Sequence, residues 1–147
     1  MNEKYIKRIQ HLGQDAALVI RAGHPIENLE FFTDDLSPLQ VGIHNKKQGV
    51  SLTPHIHLSD TKVVTEIQEV LYIISGKVKA TYYTIDGDVI DSVILEAGDS
   101  LIHFRMGHGF EILEPARIFE VKQGPYPGTQ HAKIYLKDTK NAKKKNK

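Results

Sequence analysis

Turn residues cut the chain between Glu69 and Val121 into short runs of β-branched and aromatic residues, and few folds tolerate that spacing. VLYIIS is followed by a glycine. KVKATYYTI ends at Asp86-Gly87, a hairpin signal ahead of DVIDSVIL. Glu96-Ala97-Gly98-Asp99 punctuates again before SLIHF, and Glu114-Pro115-Ala116-Arg117 separates FEIL from IFEVKQ. No segment here is long enough for a stable helix. The pattern predicts an all-β chain, an antiparallel sandwich or barrel. Upstream, His24 to Pro38 has room for one short helical turn, with Asp34 and Asp35 as punctuation.

A length of 147 residues predicts one domain, residues 1–136. Residues 137–147 are nearly all lysine and asparagine with nothing large and apolar, so they read as a disordered tail. A net charge of +1 sets up no field for nucleic acid, and none is expected as a partner. No apolar run has the length of a membrane span and MNEKYIKRIQ lacks a signal-peptide core, so no membrane partner and a cytoplasmic location are expected. The absence of cysteine excludes disulfides, thiolate ligands and a cysteine nucleophile.

Within GVSLTPHIH, His55 and His57 are separated only by Ile56. On a β-strand they would point to one side. Glu69 opens an apolar run, with Gly76 behind it, and His108 precedes another. Three imidazoles and a carboxylate suit one divalent metal such as Fe, Mn, Ni, Co or Zn. An octahedral ion with four protein ligands keeps two positions for a substrate.

These residues resemble the cupin superfamily. Its first motif, glycine, His-x-His, Glu and a second glycine, is matched by Gly49, His55, His57, Glu69 and Gly76. Its second motif is matched by Gly98 and His108. The resemblance runs from about Val41 to Gly124. It implies an antiparallel jelly-roll β-barrel and a metal held by His55, His57, Glu69 and His108. It also implies a homodimer, for which Tyr5 to Ile20 is the candidate crossing segment. Two departures stand out. LSDTKVVTEIQ is far longer than the family's spacer, so it must form a long loop or an extended strand pair. The second motif is one residue short and Phe104 and Met106 replace its usual proline and glycine, so the turn before His108 has its own shape. Glu66 competes for the carboxylate position. Glu69 is preferred, because it starts the strand and has the family's spacing to Gly76.

Leu71 and Ile73 should share the face of Glu69. Candidates for chemistry beyond the metal set are His103, Arg105, Tyr72 and Tyr83. Arg105 reads either as a surface ion pair or as a clamp for a substrate carboxylate or phosphate. His11, His24, His44 and His131 have no partner spacing and read as surface or structural. The expected ligand is a small molecule. The resemblance implies a metal-dependent enzyme of carbohydrate metabolism, acting on a sugar, sugar acid or keto acid as an isomerase, lyase or dioxygenase. It allows two alternatives. One is a metal-independent sugar epimerase or ketoisomerase with a histidine base and a tyrosine acid; the other is a non-catalytic binding protein.

Overall fold

The computed structural model describes residues 4–136. The lysine-rich tail at 137–147 lies outside them. The described residues are all-β apart from one helical turn, α1 (Thr129–Ala132). None of their helices is long and apolar enough to cross a membrane. The chain divides into two compact units, Met1–Gly23 with Glu66–Lys147, and His24–Thr65.

The first unit is a single antiparallel sheet. Its strands are β1 (Ile6–His11), β2 (Gln14–Ile20), β5 (Glu69–Tyr83), β6 (Val89–Glu96), β7 (Ser100–His103) and β8 (Gly107–Lys122). The order is β1-β2-β7-β5-β6, with β8 along β5. Tyr5 to Ile20 therefore sits in the chain's own sheet as β1 and β2. The sheet is strongly curled. β5 shares its first half with β7, its second half with β6 and nearly its whole length with β8. The Lys7 amine at the far end of the strand order reaches the Ser92 carbonyl at 3.1 Å and Asp91 at 2.8 Å.

Gly76 sets that curl. Its φ is +85°, a region that side chains avoid, and a Cβ there would overlap the Pro115 carbonyl oxygen and lie 2.7 Å from Ala116 Cα. The ladder to β8 slips around it. An extra residue in a strand reverses which side chains face in. Leu71 and Ile73 are buried before the bulge; Val78, Ala80 and Tyr82 are buried after it. These pack with Ile9, Val19, Val93, Leu95 and Leu101 as one core.

Two turn expectations hold. Gly87 has φ +86° in the β5–β6 connection, where the Thr84 amide donates to the Asp88 carbonyl at 2.9 Å and the Gly87 amide to the Thr84 carbonyl at 3.0 Å. After Glu96, the buried Asp99 carboxylate accepts from the Glu96 amide at 3.0 Å, the Ala22 amide at 3.1 Å and the Arg21 guanidinium at 2.6 Å. One expectation fails. Pro115 does not break β8, which runs through it. Proline lacks only an N–H, and a strand whose ladder slips at that point can spare one.

The second unit holds β3 (Leu29–Phe31) paired with β4 (Gly42–His44). The loop between them turns on Asp34, whose side chain accepts from the Leu36 amide at 2.9 Å. From Asn45 to Thr65 the chain has no strand. His55 and His57 thus lie in irregular backbone, not on the strand that their spacing predicts.

Candidate functional site

The first unit gathers a polar cluster at one end of its core. Glu69 is the first residue of β5, and its Cα partners are His103 on β7 and Lys122 on β8. Residues directly opposite in a ladder share a face, so all three stand on the face of Leu71 and Leu101. Farther along β5, Tyr82 is opposite His108 on β8. The curl brings this second pair back to the first. His108 Nε2 lies 3.4 Å from Glu69 Oε2, and Lys122 Nζ lies 3.5 Å from Glu69 Oε1. The rings of His103 and His108 are 4.1 Å apart, and Tyr82 stacks near His103 at 5.7 Å.

The charges of this cluster follow from its surroundings. The His108 imidazole beside Glu69 holds its carboxyl down to about 2, against a burial that would raise it; Lys122 and His103 help. Burial pushes His103 down to about 4, and His108 adds to the effect. Burial also pushes the Tyr82 phenol up, with the charge of Glu69 acting in the same direction. At neutral pH the cluster therefore contains a carboxylate, a neutral imidazole at His103 and a protonated phenol.

Three of its polar atoms are buried without a hydrogen-bond partner among the described residues: Tyr82 Oη, His103 Nδ1 and His108 Nδ1. Such groups each cost roughly 1–3 kcal/mol when nothing answers them, so three gathered in one place call for a partner.

The other sequence candidates fall elsewhere. Glu66 is occupied by Arg105, whose Nη2 lies 3.3 Å from it while Nη1 donates to Gln14 at 2.9 Å. Tyr72 stands opposite Phe119 on the other face of the sheet and is exposed. Tyr83, with Lys79 and Thr81, lines a separate depression of about 390 Å³. The tyrosine of the cluster is Tyr82, which sequence reading passed over. Counting alternate residues from Glu69 reaches Tyr83, and only the slip at Gly76 moves the inward place to Tyr82. The φ-permissive glycine in mid-strand was the available signal.

In the second unit, the rings of His55 and His57 lie 5.0 Å apart. The His55 Nδ1–H donates to the Thr53 carbonyl at 2.9 Å, leaving Nε2 with its lone pair. Among the described residues no three His, Asp or Glu side chains form a metal-holding group. The four expected ligands occur as two pairs, His55 with His57 and Glu69 with His108. The chain matches no family model, no curated protein and no solved structure.

Proposed function

We propose that the Glu69–His108–His103–Tyr82 cluster is the active site of a small cupin-like jelly-roll enzyme that works by acid–base catalysis on a small oxygen-rich metabolite. The observation that carries this reading is the ionised Glu69 beside His108, whose far nitrogen has no partner among the described residues. A carboxylate that accepts the Nε2–H fixes the imidazole tautomer and leaves Nδ1 with the lone pair. His108 Nδ1 then takes the proton from the carbon next to a substrate carbonyl and returns it to the former carbonyl carbon, while the hydroxyl proton moves from the second oxygen to the first. Aldose–ketose isomerisation consists of those two transfers. The protonated Tyr82 hydroxyl supplies a donor for the oxygen on which charge develops.

The test is deuterium uptake at carbon, followed by NMR in D2O over a panel of aldoses, ketoses and their acids. Wild type should exchange a proton in at least one compound. His108→Gln should slow that exchange by roughly 10²–10⁴-fold, and Glu69→Gln by a smaller factor. Exchange that survives His108→Gln overturns the assignment. Binding without exchange across the panel would instead favour the non-catalytic reading.

A divalent metal is the second reading, favoured by the Thr53 carbonyl, which orients His55 as carbonyls orient ligating imidazoles. The nitrogen and oxygen donors of the two pairs suit such an ion chemically. The cupin resemblance implies His55, His57, Glu69 and His108 as its ligands, and when bound it would polarise a substrate carbonyl. Elemental analysis after purification without chelator should find about one ion per chain in wild type. A His55→Ala/His57→Ala variant should carry far less, and Glu69→Gln should lose more than Glu66→Gln. Equal metal in all four proteins sinks the metal reading and leaves the acid–base one standing.

A further inference from the structure

Tyr82 is fully buried, yet its hydroxyl has no partner among the described residues. A tyrosine kept only for packing would cost less as phenylalanine, since a buried hydroxyl left unanswered is a penalty. Its neighbours repeat the pattern. His103 Nδ1 and His108 Nδ1 are also buried and unpartnered, and the three residues come from three different strands, β5, β7 and β8. The two cations that would welcome an anion are already answered. Lys122 Nζ lies 2.5 Å from Glu120 and 3.5 Å from Glu69, and Arg105 holds Glu66. With Glu69 ionised, Glu69, Glu120 and Lys122 together carry net negative charge.

Resting on the acid–base reading above, we infer that Tyr82 is a ligand-binding residue and that the site takes an uncharged hydroxy-carbonyl compound in preference to a carboxylate. The Tyr82 hydroxyl donates to the ligand's carbonyl oxygen. The ligand's own hydroxyls have the two imidazole nitrogens to meet. A carboxylate of the same size would face Glu69 with no cation left among the described residues to offset it.

Dihydroxyacetone and glycerate, three-carbon compounds of similar size, separate these outcomes. Binding to the full chain is read at pH 7 from the NMR signals of the His103 and His108 rings, for wild type and Tyr82→Phe. Dihydroxyacetone should shift those signals in wild type, and glycerate should need at least tenfold higher concentration. Tyr82→Phe should weaken dihydroxyacetone about tenfold while leaving the melting temperature of the ligand-free protein unchanged or higher. A melting temperature several degrees lower would mean that the hydroxyl is answered inside the fold, for instance by a buried water, and overturns the inference. Glycerate binding as well as dihydroxyacetone, or neither binding, also overturns it. Those results leave the acid–base reading to its own test, because deuterium uptake lost in His108→Gln is measured with Tyr82 intact and over neutral and acidic compounds alike.

Discussion

Two stretches of this chain read as strands from their residues and end in different states. In β5, Leu71 and Ile73 alternate with Val70, Tyr72 and Ile74, and the inward set is buried. From Val50 to Leu58, Val50, Leu52, Ile56 and Leu58 alternate with Ser51, Thr53, His55 and His57, yet Ile56 is 92% exposed and Leu58 94%. Alternation specifies two faces, but a strand also needs neighbours for its backbone groups. β5 has β7 and β6 along one edge and β8 along the other. The segment around His55 has no ladder. The histidines differ accordingly: burial lowers the proton affinity of His103, whereas the rings of His55 and His57 touch each other in an exposed segment.

The largest expected contrast uses two glycines with nearly the same backbone. Gly76 has φ +85° and Gly49 has φ +86°. A Cβ at Gly76 collides with Pro115 and Ala116, whereas a Cβ at Gly49 meets nothing within 4 Å. Gly76→Ala should cost more than about 4 kcal/mol or prevent folding, because strain and a backbone clash add. Gly49→Ala should cost only the left-handed penalty of about 1–2 kcal/mol. Urea denaturation of both variants checks this, and equal losses would mean that the bulge is not what shapes β5.

A smaller contrast concerns two aspartates. Asp99 is buried and answers two amides and Arg21, so Asp99→Ala should cost about 3 kcal/mol. Asp60 forms an exposed pair with Lys62, and Asp60→Ala should stay within about 0.5 kcal/mol. Thermal melts of the two variants would reveal a misplaced turn if Asp99→Ala were also silent.

The next effect is a dependence on pH, measured on chelator-treated protein. Folding lowers His103 from its ordinary 6.5 to about 4, so between those values the unfolded chain binds more protons. That stability is fully present above pH 6.5 and is lost as pH falls to 4, by about 2–3 kcal/mol. Glu69, lowered from 4.5 to about 2, continues the loss below pH 4.5. His103→Gln should remove the first step of the profile. His55→Ala/His57→Ala should leave it in place and change stability by less than about 0.5 kcal/mol, the smallest effect expected. If the double variant flattened the profile, the exposed pair would be the group that titrates.

Much of the sheet was legible in local residue order. Asp86-Gly87 marked the β5–β6 turn, Glu96 to Asp99 marked the next, and the place of Glu69 on the face of Leu71 and Ile73 followed from period two. These are short-range matters, decided by φ preferences and alternation within a few residues. That Glu69 opens an apolar strand, with Glu66 ahead of it, was legible too. Proline at 115 misled, because the break that it signals depends on which edge of the strand needs the N–H.

What only the tertiary structure decided is the meeting of the two ends of β5. Glu69 and Tyr82 are thirteen steps apart in one strand. Straight, they would be separated by about 43 Å at the usual rise. The slip at Gly76 and the ladder with β8 bend the strand until the partner of Tyr82, His108, lies 3.4 Å from Glu69. The same slip puts Tyr82 inside and Tyr83 outside, and brings Tyr82 to the His103 that β7 sets opposite Glu69. No local pattern carries that information, because a reversal of facing and a bend of the sheet arise from how strands share backbone hydrogen bonds across the whole unit.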